Sequence, residues 1–556
     1  MNLRLIYLSF ILSAYASAAT VDDLTFALNE TNTAYVTDCD EKATGTLVIP
    51  EFYNGAPVIE ISRRAFQDCS SLTSITLPDS LTAIYHSAFR ACSSLTSITL
   101  PDSVTYIGDE AFEGCSSLTS ITLPDSLTAI AYRAFRDCSS LTSITIPDSV
   151  TSIELEAFEG CSSLTSITLP DSLTAIRIGA FQYCSNLTSI TLPDSVTYIG
   201  DEAFEGCSSL MSITLPDSVT YIGDEAFEGC SSLTSITLPD SLNSIGEATF
   251  RGCSSLTSIT LPDSIRSMGP TAFEGCSGLT SITLPDSLNS IGYYAFTGCS
   301  SLTSITLPDS ISAIGQGAFG GCSSLTSITL PDSLTEIGVV VFRGCSSLTS
   351  ITLPDSLNSI GEATFRGCSS LTSITLPDSI VTIGENAFEG CSSLTSITLP
   401  DSITEIGDAV FFGCLSLESI TAPLHLVTDL VNSGTPRDII NVSTLDGNGV
   451  GANGWTTTET PIGFVNVSLY PWIYVLNIDS FIYAEGLDFS NQGNWVYLAV
   501  LNFTLARYDF DANGWTTEET PIGYINLSFA PWIYILDINS FAYADQFYVR
   551  WIYLKN

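Results

Sequence analysis

Cys115-Ser-Ser-Leu-Thr-Ser-Ile-Thr-Leu-Pro-Asp-Ser-Leu127 is one copy of a unit that begins again every twenty-third residue. From Cys69 to Cys414 a cysteine falls at every such interval, giving sixteen copies without a slip. A fixed period in the twenties is the signature of stacked turns, each too small to bury its own apolar face. The fold expected is therefore a solenoid. Function is then sought on an extended face, since a solenoid repeats each side chain as a column.

The turn starting at Cys69 shows how the unit works. Its apolar residues are Leu72, Ile75, Leu77, Leu81, Ile84, Ala88 and Phe89, the first three spaced Leu-x-x-Ile-x-Leu. Ile75 and Leu77 alternate with Ser74 and Thr76, the period of a half-buried strand. Pro78 ends that strand because it has no N–H for a ladder, and Asp79-Ser80 favours a turn. Leu81 to Ile84 reads as a second short strand, and Gly108 to Phe112 as a short helical turn returning the chain.

The ends depart from the template. Residues 1–19 read as a signal peptide: Arg4, then an apolar stretch from Leu5 to Leu12, then the small residues Ala16-Ser17-Ala18. Its apolar core is too short to span a bilayer, so no membrane span is expected after cleavage. Residues 20–46, with Leu24-Thr-Phe26 and Ala34-Tyr-Val36, read as an N-terminal capping hairpin. The solenoid is assigned to 47–427, a linker to 428–445, and a duplicated aromatic domain to 446–556. In that last region Ala452-Asn-Gly-Trp455 recurs as Ala512-Asn-Gly-Trp515, and Pro471-Trp-Ile-Tyr474 as Pro531-Trp-Ile-Tyr534. Aromatics bounded by Asn-Gly turns indicate short antiparallel strands.

At this point the residues match a known pattern. The turns reading Cys-Ser-Ser-Leu-Thr-Ser-Ile-Thr-Leu-Pro-Asp-Ser-Val-Thr-Tyr-Ile-Gly-Asp-Glu-Ala-Phe-Glu-Gly resemble the BspA-like leucine-rich repeat, over roughly residues 45–425. The resemblance implies a right-handed leucine-rich solenoid of an exported or surface protein and a role in contact, adhesion or recognition, since some members act as adhesins. The aromatic C-terminal region is similar to Trp/Tyr repeat tails of some exported bacterial proteins. The fold class expected is a β-rich leucine-rich-repeat solenoid of parallel strands and short helical turns, followed by a small, mainly antiparallel β domain.

Charge narrows the partners. Asp+Glu number 59 against Lys+Arg 16, a net charge of -43. Nucleic acid and anionic membranes both require clustered Lys and Arg, so neither is expected. An extracellular protein or glycan ligand remains, and the oligomeric state is open. Seventeen cysteines in an exported chain suggest disulfides, and adjacent rungs lie close enough for them. The reading preferred for the ladder is buried thiols, because each cysteine lies three residues from a core Phe and a core Leu. Zinc spacing is missing: there is no Cys-x-x-Cys, and His86 and His425 are the two histidines. No nucleophile elbow or phosphate loop accompanies them, so an enzyme is not expected.

Three sets of residues are candidates. Ser74 and Thr76, with their equivalents, form an outward hydroxyl array suited to glycans or proteins. A structural role in contact with ice or mineral is the alternative use of that array. Tyr85, His86, Tyr132, Arg133, Tyr293 and Tyr294 lie where the repeats vary after the Ile-Gly corner, and such residue types dominate recognition surfaces. Asp509, Asp511 and Asn513 open an Asp-x-Asp-x-Asn-Gly calcium loop, but Thr520 stands where the closing Glu belongs. No other cofactor is indicated.

Overall fold

The computed structural model describes residues 18–442 and, further on, the backbone at 524–526 and 534–536. The expected signal segment, most of the aromatic domain and the calcium-loop residues Asp509, Asp511 and Asn513 lie outside the described residues. The segments Tyr524–Asn526 and Tyr534–Leu536 pair antiparallel.

The chain opens with a hairpin. Strand β1 (Leu24–Leu28) pairs antiparallel with β2 (Ala34–Cys39). β3 (Gly45–Val48), β4 (Phe52–Tyr53) and β5 (Ala56–Ile61) follow; β5 joins β2 in parallel and β4 antiparallel. From there the repeat takes over with β6 (Leu72–Thr76) and β7 (Ala83–Ile84), which belong to two different sheets. Each later coil repeats this pair in register: Ser74 faces Ser97, Ile75 faces Ile98 and Thr76 faces Thr99, while Ala83 faces Tyr106 and Ile84 faces Ile107. Alternation puts Ile75 and its equivalents in the core and the flanking hydroxyl residues outward.

The third side of each coil is a run of turns where the sequence suggests a short helical turn. Glu110 (φ 55°) and Gly114 (φ 73°) are left-handed, which breaks a helix and leaves their N–H groups for the next coil. Glu110 N–H donates to Tyr132 O at 2.8 Å, Phe112 N–H to Ala134 O at 2.9 Å, and Gly114 N–H to Arg136 O at 2.8 Å. On the strand sides the bonds run backward, as in Thr96 N–H to Thr73 O at 3.0 Å and Gly108 N–H to Ile84 O at 2.8 Å. Every coil is thus tied to both neighbours through its backbone, satisfying groups that would otherwise be buried without partners.

The core is a set of ladders. The Phe rings, from Phe66 to Phe411, stack on one another; Phe112 and Phe135 have centroids 5.5 Å apart. Beside them the cysteines are buried, unbridged thiols, apart from the half-buried Cys414. Their Sγ–H groups donate to the Phe carbonyl of the preceding coil, as Cys115 does to Phe89 O at 3.1 Å.

Ser419–Ala422 belongs to a second compact unit with the residues that follow it. It pairs in parallel with Ile440–Val442, Ile420 facing Ile440. Between them runs a helix, Val427–Asn432, with Leu426, Leu430 and Ile440 buried. The segment read from sequence as a linker therefore contains regular structure through Val442, because its few apolar residues find burial.

Candidate binding face

The Ser-Ile-Thr strands stack in parallel register into a face whose outward columns differ in what they do. Thr96 Oγ1 donates to Thr73 O at 3.0 Å, and Thr119 Oγ1 to Thr96 O at 3.2 Å. That column stitches coil to coil and is largely occupied by the fold. The next two columns, Ser74 and Thr76 with their equivalents to Ser396 and Thr398, form no side-chain hydrogen bond within the described residues. Their hydroxyls point outward at about 4.8 Å between rungs and about 7 Å along the strand.

The edge of this sheet is set by the Pro-Asp-Ser turn. Ser103 Oγ donates to Leu81 O at 2.6 Å and Asp79 O at 2.7 Å, which fixes the turn and explains the serine. Asp79 and its equivalents remain exposed with no ion pair or side-chain hydrogen bond among the described residues. From Thr73 to Asp401 the four columns of the face and rim hold no Lys or Arg. Chemically, the face offers paired donor and acceptor hydroxyls beside a line of carboxylate acceptors.

The remaining candidates sit elsewhere on the coil. Tyr85 follows β7 at the second sheet; His86, Tyr132 and Tyr293 share one column, and Arg133 and Tyr294 the next, at the start of the turn side, so the fold does not join them to Ser74 and Thr76. Several are engaged within the chain. His86 Nε2 is 3.8 Å from Glu110 Oε2. Arg133 pairs with Glu156, and its guanidinium lies 4.7 Å from the centre of the Tyr132 ring. Tyr85 packs against Tyr106 with centroids 5.7 Å apart. Tyr293 is the most open of the set, at 60% exposure.

The turn side also carries a charge ladder that reading the sequence did not pick out. Arg90 pairs with Glu113 at 3.2 Å, Arg136 with Glu159 at 2.9 Å, and Arg366 with Glu389 at 3.0 Å. Each partner is twenty-three residues away, so the period itself was the available signal. Burial, reinforced by a hydrogen bond with Glu156, pushes the Glu159 carboxyl up to about 7. Among the described residues, no group of three or more His, Cys, Asp or Glu is placed to hold a metal ion. No helix among them is long and apolar enough to cross a membrane.

Stacked parallel strands, a Leu/Ile/Phe core and a one-coil repeat define a leucine-rich-repeat solenoid. Residues 59–188, 174–301, 249–369 and 312–429 match the BspA type leucine rich repeat region, and the chain belongs to that family. Among solved structures, it is similar to a leucine-rich repeat protein from Bacteroides ovatus, at 31% identity over 76% of this chain and 98% of that one, TM-score 0.49. It is also similar to a leucine rich cell surface protein from Faecalibacterium prausnitzii, at 30% identity over 72% of this chain and 93% of that one, TM-score 0.37. No curated protein sequence matches the chain.

Proposed function

We propose that this chain is an exported or cell-surface recognition protein, without enzymatic activity, that uses its Ser/Thr sheet as an extended contact face for a protein or glycan. One observation carries the reading. The Ser74 and Thr76 columns do nothing for the fold through their hydroxyls, yet they read Ser and Thr in all sixteen coils. Duplication alone does not account for this, because other exposed columns in the same coils have diverged. The Thr82 column becomes Asn243, Arg266 and Val381, and the Tyr85 column becomes Gly108, Ala131, Glu154 and Arg177. The uncharged face with its acidic rim suits a neutral or cationic partner and disfavours nucleic acid.

The test is a glycan and matrix-protein binding screen of the full chain, repeated without residues 446–556. Binding that disappears when Thr191, Thr214, Thr237 and Thr260 become Leu, with the circular dichroism spectrum unchanged, supports this face. Binding that survives the substitution removes it. The in-register hydroxyl lattice favours a second reading, contact with ice or mineral, and an ice-recrystallisation assay on the same variant separates the two.

A further inference from the structure

Cys39 is the one cysteine outside the twenty-three-residue period. It ends β2 in the capping hairpin and is buried, as is Cys69, the first thiol of the ladder. From Cys92 to Cys414 each ladder Sγ–H donates to a Phe carbonyl of the preceding coil, at 3.1 to 3.2 Å. Cys69 has no Phe of a preceding coil to donate to, and the backbone of the cap takes that place. Its Sγ instead lies 3.8 Å from both Cys39 O and Asp40 O, and the Cys39 Sγ lies 3.7 Å from that same Asp40 O. The two thiols therefore converge on one carbonyl, with the ladder's regular bond missing.

We infer that Cys39 and Cys69 are a disulfide-forming pair that clips the N-terminal cap to the first coil. The inference rests on the exported reading, since such a bond persists in an oxidising compartment. The oxidant is a disulfide, either glutathione disulfide or the active-site disulfide of a dithiol oxidoreductase. One thiolate attacks it to give a mixed disulfide and release one thiol; the second protein thiolate then displaces the other. Two protein thiols are oxidised, one external disulfide is reduced to two thiols, and two protons pass from the protein thiols to the released ones. In the folded state the neighbouring Cys69 thiol and burial hold Cys39 protonated, which slows attack. The bond accordingly forms while the cap is docking.

The clip has a consequence for stability. A solenoid frays from its ends, and this bond closes the segment that shields Phe66 and Leu72, both fully buried. The distal end has a half-buried Cys414 and no second cysteine beyond it.

The full chain, reduced and unfolded, is refolded in a glutathione redox buffer and digested with trypsin without reduction. This in vitro route makes the result independent of whether the protein is exported in the cell. Cleavage after Lys42, Arg64 and Arg90 puts Cys39, Cys69 and Cys92 on separate peptides. The expected product joins the peptide ending at Lys42 to Ala65–Arg90, two hydrogen masses lighter than their sum. Denatured protein then titrates 15 thiols rather than 17 (17 cysteines less the bonded two). Trypsin nicking of the cap is expected to be slower by roughly ten-fold or more in the oxidised chain, with no redox effect in Cys39→Ser. Titration of every cysteine as a free thiol, or a Cys69–Cys92 linkage, overturns the inference.

Discussion

The rings of Phe112 and Phe135, one period apart, lie parallel to within 1° with centroids 5.5 Å apart. Neither ring has a core partner from a distant part of the sequence in this stack; each meets the same residue of the coil before and after. That relationship makes stability local and nearly additive along the solenoid.

Phe227 lies in mid-stack, fully buried between Phe204 and Phe250. Phe227→Ala is expected to cost about 3–5 kcal/mol, read from urea denaturation. Amide exchange should accelerate first in the two adjoining coils. Phe411, on the last coil and 7% exposed, should cost less when truncated.

Val340 holds a left-handed backbone, φ 53°, in a column where Gly179 and Gly317 occur naturally. A β-branched residue there pays about 1–2 kcal/mol, partly offset by the greater freedom glycine has when unfolded. Val340→Gly is therefore expected to leave stability unchanged or raise it by up to about 1 kcal/mol. The neighbouring Val339→Gly, outside the left-handed column, should lower it. Thermal unfolding of the two variants side by side decides.

Thr234 and Thr237 are both exposed on one coil but do not share one role. Thr234 Oγ1 donates to Met211 O at 3.2 Å, so Thr234→Val should cost about 1 kcal/mol. Thr237→Val should stay within about 0.5 kcal/mol of the parent and weaken partner binding instead. The reverse pattern would contradict the division of labour between the columns.

Glu159 sets a pH dependence. Burial and the Glu156 hydrogen bond raise its carboxyl from 4.5 to about 7. A raised acid binds its proton more tightly when folded, so its contribution to stability is fullest below pH 4.5 and is lost as pH rises to about 7. Glu159→Gln should flatten the stability profile across that window. Urea midpoints of both proteins at intervals of pH provide the measurement.

Burial pushes the Cys207 thiol up to about 12. Native protein at pH 8 should resist iodoacetamide at Cys207, while unfolded protein reacts, because the thiolate is the nucleophile. Labelling of native Cys207 at the unfolded rate would exclude a buried ladder.

Much of this was readable in one dimension. The period gave the coil, the Ile75–Leu77 alternation gave the strand, and Pro78 its end. The return segment reads from its Gly-x-x-Ala-Phe pattern as a short helical turn, but Glu110 takes a left-handed backbone and hydrogen-bonds to the next coil, which a single coil's sequence does not show. The candidate residues divided similarly. Ser74 and Thr76 follow from alternation, but Arg133 and His86 looked available until their partners Glu156 and Glu110 came into view.

By itself the sequence determined the repeat, its inward and outward residues, and family membership, since these depend on spacing within a single coil. The tertiary structure alone decided which hydroxyls are spent between coils, which carboxylates meet arginines, and that the Cys39 and Cys69 thiols converge on the Asp40 carbonyl. Those are contacts across the stack, where distance is set by the rung spacing rather than by separation along the chain.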